Sequence, residues 1–234
     1  MREVGSPAKH SLNKIILNSL KLLCSRPGMK ILDVGCGDGN YENIIKSLGA
    51  EASYHGIDVI QSLKWADNPS LFEVYNAEEL IDLNRKFNLI ISIHSLEHIE
   101  KDRKAVQGMT SCLEDDGIIL MAVPSKFSFP LYLFHGYRRY SVSNIKELAE
   151  RSNLSLDNVI AAGGLVNSAL HVISWTIPSL IGINVSLFLK RHDILVAIFC
   201  KLRQLSMIID NRLRVFPSNY VAIFSKSSKG RETE

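Results

Sequence analysis

The chain has 234 residues, of which 46% are hydrophobic and 22% charged, a balance typical of one folded α/β domain with an elaboration. Its net charge of +3 is too small to indicate nucleic-acid binding by itself, and its four cysteines form no CxxC pair, which favours a reducing compartment over a disulfide framework. The first residues lead into a polar segment without the apolar core of a signal peptide, so we expect the protein to remain in the cytoplasm.

The first part of the chain has the pattern of a βαβ unit. Apolar positions at helical spacing predict a helix over Ala8–Cys24, within an N-terminal segment 1–26. A short apolar strand, Lys30–Val34, then leads into the glycine-rich residues 35–39. A helix over Asn40–Leu48 and a second strand over Ser53–Ile57 follow, and Asp58 stands at the tip of that strand.

Strand and helix patterns continue to alternate beyond Asp58. We predict strands at Leu71–Tyr75, Asn88–Ile93, Gly117–Val123, Leu156–Ala162 and Asn219–Lys226, and helices at Asp102–Leu113 and from Ser141 or Ser143 to Arg151. This alternation implies right-handed crossovers, and therefore a mostly parallel, Rossmann-like sheet of seven strands with helices on both faces. Ligands of such folds bind beyond the carboxyl ends of the strands.

The glycine loop and Asp58 together indicate a pocket for an adenosine-containing ligand. Glycines let the backbone approach a ligand closely, and a carboxylate at the next strand tip can accept hydrogen bonds from two ribose hydroxyls. A dinucleotide fingerprint would place its third glycine at Asn40, where this chain has none, and the lysine of a phosphate-binding P-loop is also missing. A dinucleotide site and a purely structural glycine turn remain as alternatives.

Three motifs resemble class I S-adenosylmethionine-dependent methyltransferases, in particular the small-molecule, type 11-like members. They are Leu-Asp-Val-Gly-Cys-Gly-Asp-Gly at 32–39, the strand and turn Phe87–Ile99 that contain Leu-Glu-His-Ile, and Leu-Glu-Asp-Asp-Gly at 113–117. The resemblance covers residues 8–162 and the last strand. Asn76 and Asn88 depart from it, because the family usually has acids at both positions.

The resemblance implies S-adenosylmethionine as cofactor and O- or C-methylation of a small molecule. The expected cofactor-binding residues are Asp33, Gly35, Cys36, Gly37, Gly39, Asp58, Val59, Asn76, Ala77 and His94. His98 and His135 are the candidate catalytic bases, with the alternative that His98 only orders its turn. Tyr137, Arg138 and Arg139 are the candidate substrate-binding residues, with the alternative that the arginines pair with surface acids.

A metal site is the weaker interpretation of the same turn. His94, Glu97 and His98 could share one helical face, a spacing that metal ligands use. The turn resembles the ligand set of small RNA 3′-end methyltransferases, but Arg103 stands where that set has its last histidine. We therefore predict no metal.

The segment between the sixth and seventh strands is the unusual part of the chain. Residues 158–189 contain no Asp, Glu, Lys or Arg, and several basic residues follow them. We define residues 163–216 as a hydrophobic helical insertion between a cofactor-binding core, 27–162, and a final strand, 217–226, with a disordered tail at 227–234. The insertion could span a membrane, lie at the inner membrane surface, or cover the pocket or a dimer contact.

These patterns favour a methyltransferase acting on an apolar or lipid-linked metabolite. The chain has no basic stripe interleaved with aromatic residues, so we expect no nucleic-acid partner. The competing hypothesis is a cofactor-binding scaffold protein without activity at a membrane complex, for which Asn76 and Asn88 are the only support.

Overall fold

The structure is a computed structural model that describes residues 7–49, 51–128, 136–180, 182, 184, 193–213 and 215–227. His135 therefore lies outside the described residues, as does the predicted tail beyond Ser227. The described helices are α1 (Pro7–Leu23), α2 (Asn40–Ser47), α3 (Asp102–Ser111), α4 (Val142–Arg151), α5 (Leu165–His171), α6 (Ile177–Leu180) and α7 (Asp193–Leu213). The strands are β1 (Met29–Val34), β2 (Ala52–Asp58), β3 (Phe72–Val74), β4 (Phe87–Ile93), β5 (Leu113–Pro124), β6 (Leu154–Ala162) and β7 (Asn219–Lys226).

The strands form one seven-stranded sheet in the order β3-β2-β1-β4-β5-β7-β6. Strands β1 to β5 pair in parallel, and β7 lies antiparallel between β5 and β6. This confirms the predicted Rossmann-like, mostly parallel sheet. Because β1 and β4 are central, their apolar residues are buried on both faces, which explains why these strands are nearly continuous apolar runs in the sequence.

Each face of the sheet has its own apolar core. On one face Leu12, Ile16 and Leu20 of α1 pack with Ile45 of α2 against the sheet. On the other face, Met109 of α3 and Ile145 of α4 pack against the side chains that the same strands direct to that side. The two layers hold the carboxyl ends of β1 to β5 at a common edge of the sheet.

Helix α4 begins where the sequence predicts. The Ser141 hydroxyl accepts a hydrogen bond from the backbone N–H of Asn144, and the Asn144 side chain accepts one from the backbone N–H of Ser141. This reciprocal cap satisfies two donors that a helix start would otherwise leave open.

The fifth strand begins earlier than the sequence predicts. Residues Asp115-Asp116-Gly117 lie within β5, which begins at Leu113 rather than at Gly117. Leu113 pairs with Phe87, and the register of β4 and β5 then shifts before Leu89 pairs with Ile118. The extra residues of this irregularity contain the polar Asp-Asp-Gly sequence. This polar sequence explains why the apolar strand pattern begins only at Gly117.

The insertion is helical in its described parts. Helix α5 continues through a π-helical stretch, Val172–Thr176, into α6, and α7 packs against α5. Asp210 of α7 accepts hydrogen bonds from the backbone N–H groups of Val166 and Asn167, at 3.0 and 2.8 Å. Within the described part of the chain, every helix is too short or too polar to cross a membrane.

Candidate functional site

A cleft of about 540 Å³ opens at the carboxyl ends of β1, β2, β3 and β4. This is the sheet edge at which α/β folds bind ligands. The predicted residues that line it are Gly35, Asp58, Val59, Asn76, Ala77, His94, His98 and Tyr137. The lining residues that were not predicted are Ile57, Ile60, Tyr75, Glu78, Ser95, Ile99 and Glu100.

The Asp58 carboxylate joins the two loops at the centre of the cleft. One oxygen accepts the backbone N–H of Gly37 at 2.9 Å, and the other accepts that of Ile60 at 3.1 Å. Each carboxylate oxygen can accept a further hydrogen bond, so Asp58 is held in place with capacity left for a ligand. Gly37 does not line the cleft, and it contributes through the backbone N–H that holds Asp58.

Two of the loop glycines are required by their surroundings. A Cβ at Gly35 would lie 2.0 Å from the Ser95 hydroxyl, and a Cβ at Gly39 would lie 2.5 Å from the Phe72 ring. Both residues also have φ of +75°, the left-handed region that favours glycine. At Gly35, the end of the first strand therefore approaches the turn after β4 more closely than a residue with a side chain would allow.

Asp33 and Cys36 lie beneath the loop and do not line the cleft. Asp33 is only 1% exposed, and its carboxylate accepts a hydrogen bond from the Tyr54 hydroxyl. Burial, opposed by the Tyr54 hydrogen bond and assisted by the charge of Asp58, raises the pKa of Asp33 to about 7. Burial raises the pKa of the Cys36 thiol as well, so this thiol is a poor nucleophile.

The β2 and β3 tips give the cleft an apolar wall with polar edges. The side chains of Val59 and Ile60 are 62% and 74% exposed, although both are aliphatic. Asn76 caps the short helix that follows it, since its side-chain oxygen accepts the backbone N–H of Glu78 at 3.0 Å. A flat apolar ring with polar edges would fit this wall.

A buried carboxylate fixes the position of His94. Nδ1 of His94 lies 2.8 Å from a carboxylate oxygen of Glu97, whose side chain is fully buried. The backbone of His94 has φ of +53°, which turns the chain sharply at the end of β4. Carboxylates in this position fix the tautomer and orientation of an imidazole. His98 lies beside this pair on the exposed side of the cleft.

The segment 136–140 crosses beside this turn. The backbone N–H of Tyr137 donates to the Glu97 carbonyl at 2.7 Å, and Tyr137 lines the cleft. Arg138 instead forms an ion pair of 2.7 Å with Asp102 and donates to the Glu100 carbonyl. Arg138 and Arg139 thus line a second cavity rather than the cleft, and their predicted contact with the substrate stays a prediction.

The geometry separates most of the predicted residues into three groups. Most cofactor-binding residues meet at the cleft, Asp33 and Cys36 support it from below, and the two arginines lie outside it. Among the described residues there is no group of three or more metal-ligating side chains, because His94 precedes a short 3₁₀ helix and bonds Glu97 instead of sharing a helical face with it. The role of Glu97 in orienting His94 was missed, although their spacing of three residues was the available signal.

Sequence comparison provides independent information. A family model described as "Methyltransferase domain" matches residues 8–159. A ubiquinone biosynthesis O-methyltransferase from Bartonella bacilliformis is 28% identical over 101 residues, which cover 41% of each chain. Its counterpart from Burkholderia thailandensis is also 28% identical, over 48% of this chain and 52% of the relative. The chain spans about half the length of the curated relatives it matches.

Solved structures share the fold at lower identity. A SAM-dependent methyltransferase from Archaeoglobus fulgidus has a TM-score of 0.60, with 17% identity and 95% coverage of both chains. An O-methyltransferase of a polyketide synthase multienzyme from Brevibacillus brevis, solved with S-adenosyl-L-homocysteine, has a TM-score of 0.58 and 16% identity, over 95% of this chain and 78% of the other. These likenesses establish the class I methyltransferase fold.

Proposed function

This chain belongs to the methyltransferase domain family, and from that membership we propose that it transfers a methyl group from S-adenosylmethionine to an oxygen or carbon atom of a small acceptor. The observation that carries the proposal is the carboxylate of Asp58, held at the β2 tip by the backbone of both loops and facing an open cleft. The relatives named as O-methyltransferases favour oxygen as the attacked atom.

The described residues supply the contacts that such a cofactor needs. Asp58 would accept the two ribose hydroxyls, while Val59, Ile60 and Ala77 would pack against the adenine. Gly35 lines the cleft, and its backbone would contact the amino-acid end. The bound cofactor supplies an electrophilic methyl group on a positively charged sulfur.

The chain's own task in such a transfer is to align the acceptor and remove its proton. Alignment alone can supply several kcal/mol of rate acceleration, since an in-line displacement tolerates little misorientation. A hydroxyl acceptor also needs a base, and His98 at the exposed side of the cleft is our proposed base. Glu97 would orient His94 beside it and keep that wall of the cleft rigid. A role for His135 remains a prediction.

The insertion provides the argument for an apolar or lipid-linked acceptor. Helix α7 buries the row Val196, Phe199, Arg203, Ser206 and Asp210, and exposes the row Ile194, Ile198, Lys201, Leu205, Ile208 and Arg212. The exposed row is thus the more apolar of the two, and it contains two cations. We propose that this row contacts the inner surface of a membrane, where cations meet anionic headgroups.

A scaffold protein without activity is the second candidate. Its support was the replacement of two acids by Asn76 and Asn88, and the structure gives each amide another role. The Asn88 side chain accepts the backbone N–H of Lys30 across the sheet, and Asn76 caps a helix. Neither contact opposes cofactor binding, which leaves the active methyltransferase as the better proposal.

Calorimetric titration of S-adenosylmethionine tests the proposal directly. We expect micromolar binding by the wild type and at least tenfold weaker binding by Asp58→Ala, because a charged partner of two hydroxyls is lost. Asp82→Ala, an exposed carboxylate that does not line the cleft, should bind as the wild type does. Failure of the wild type to bind would reject the proposal.

A further inference from the structure

A second cavity lies beside the cleft, on the other side of segment 136–140. Its volume is about 460 Å³, and it is formed by the first turn of α3, the first two turns of α4 and the residues after β5. Tyr137 faces the cleft, whereas Arg138 and Arg139 line the second cavity. The methyl-transfer scheme above assigns no ligand to it.

The lining of this cavity has an excess of positive charge. Four cationic side chains and two carboxylates surround it: Arg103, Lys126, Arg138, Arg139, Asp102 and Glu147. Both carboxylates already have partners, because Asp102 pairs with Arg138 at 2.7 Å and Glu147 pairs with Arg103 at 2.8 Å. Glu147 is also shared with Arg151 at 2.9 Å. Neither of these acids pairs with Lys126.

Lys126 contributes a positive charge to the cavity that no acid among the described residues balances. Its backbone N–H donates to the Tyr140 carbonyl, which fixes the residue at the cavity wall. Its side chain is exposed, and within the described ranges its ammonium has neither an ion pair nor a hydrogen bond. An ammonium with three donors, next to guanidinium groups, suits a phosphate group.

An apolar surface begins at the next residue. The ring of Phe127 packs edge-on against Phe216, with centroids 5.0 Å apart, and each side chain is 48% exposed. Val215 beside them is 40% exposed. Since consecutive Cα atoms are only about 3.8 Å apart, a cationic cavity and an exposed aromatic pair meet at Lys126 and Phe127.

We propose that this junction binds an amphiphile that carries a phosphate: the phosphate enters the cationic cavity, and the hydrocarbon part lies on Phe127 and Phe216. The proposal rests on the proposed function and deepens it, because it names a phosphate-bearing lipid as the class to which a lipid-linked acceptor belongs. A free phosphate ion would use the same cations without the aromatic pair.

Calorimetry with farnesyl phosphate, inorganic phosphate and farnesol separates these sources. We expect the wild type to bind farnesyl phosphate at least tenfold more tightly than inorganic phosphate, and farnesol weakly. Lys126→Gln should weaken farnesyl phosphate binding at least fivefold. Lys146→Gln removes another exposed charge, on α4, that does not line the cavity, and it should have no effect. Phe127→Ser should remove the advantage of farnesyl phosphate over inorganic phosphate.

Each other outcome contradicts the proposal. If wild type binds neither phosphate compound, or if both lysine variants lose binding equally, the cavity is not the site. Equal affinity for inorganic and farnesyl phosphate would make it a simple anion site and reject the amphiphile. Titration of S-adenosylmethionine into the same proteins gives a separate result. If the wild type does not bind the cofactor, the proposed function fails, and the proposal for this cavity is judged by the phosphate titrations alone.

Discussion

Asp33 is a carboxylic acid that the fold holds away from water directly under the glycine loop. Tyr54 donates to it, and Tyr41 lies near enough for the Asp33 charge to help raise the pKa of its hydroxyl, after burial. A buried carboxylate next to Asp58 is costly when it is ionised. Its place in the motif is thus structural in this fold, supporting the loop that carries Gly35 and Gly37.

This carboxylate predicts how stability depends on pH. The pKa of Asp33 is about 7 in the folded state and about 3.9 in the unfolded state. Between these two pH values Asp33 is protonated in the native protein, whereas in the unfolded chain it has lost its proton. Stability should therefore fall as pH rises from about 4 to about 7. Asp33→Asn keeps an acceptor for Tyr54 and should not suffer this loss.

Urea denaturation at several pH values measures the effect. The free energy of unfolding of Asp33→Asn relative to the wild type should increase by roughly 2–4 kcal/mol between pH 4 and pH 8. Asp67→Asn, an exposed carboxylate, is the control and should leave the pH dependence unchanged. Parallel curves for wild type and Asp33→Asn would show that the carboxyl group ionises normally.

At the scale of elements, one carboxylate joins the two helices α5 and α7 of the insertion. Asp210 is only 4% exposed, and it accepts both backbone N–H groups at the start of α5. Gly164 has to be glycine for this contact, since a Cβ there would lie 2.5 Å from the Asp210 carboxyl carbon. The contact acts as a helix cap supplied from another helix.

Asp210→Ala should loosen the insertion without disturbing the cleft. We expect the free energy of unfolding to fall by about 1–3 kcal/mol, because two buried N–H donors lose their charged acceptor. Native-state hydrogen exchange should become faster in α5 and α7 but stay unchanged in β1 and β4. Asn211→Ala, one residue on and exposed, should show neither change. Uniformly faster exchange would mean that the insertion and the sheet unfold together.

The sequence was most informative about elements that are buried on both faces. The apolar runs of β1 and β4 and the glycines after β1 can adopt few other structures, so their positions were predicted within a residue. The insertion offered no such constraint, because an apolar run without charges fits a membrane span and a packed helix equally well. The buried row of α7, in which Arg203, Ser206 and Asp210 are polar, can be identified only once its partner α5 is in place.

Near the cleft, contacts between residues that are far apart in the sequence could not be predicted either. The pairing of Arg138 with Asp102 depends on segment 136–140 passing over the start of α3, which no local pattern indicates. The same holds for Ser95 against Gly35, which links residues sixty positions apart. Motif spacing could therefore predict where the cleft lies, whereas the placement of Tyr137 in the cleft and of both arginines in the second cavity required the fold.

At the scale of the whole molecule, the insertion emerges at the same edge of the sheet as the cleft. β6 ends and β7 begins at the level of the β5 tip, as the pairing of Asn219 with Pro124 and Ala162 shows. A surface that contacts lipid there would bring the cleft close to a membrane-borne acceptor. The lipid contact proposed for the exposed row of α7 would therefore have a consequence for the reaction.

Vesicle sedimentation tests that contact. At low ionic strength the wild type should bind phosphatidylglycerol vesicles but not phosphatidylcholine vesicles, since each cation near an anionic surface contributes about 1 kcal/mol. The double variant Ile198→Glu, Leu205→Glu should lose at least nine-tenths of that binding, while Leu22→Glu, at a still more exposed residue of α1, should retain it. If the double variant instead abolishes a dimer that forms without lipid, the row is a subunit interface, and the acceptor reaches the cleft from solution.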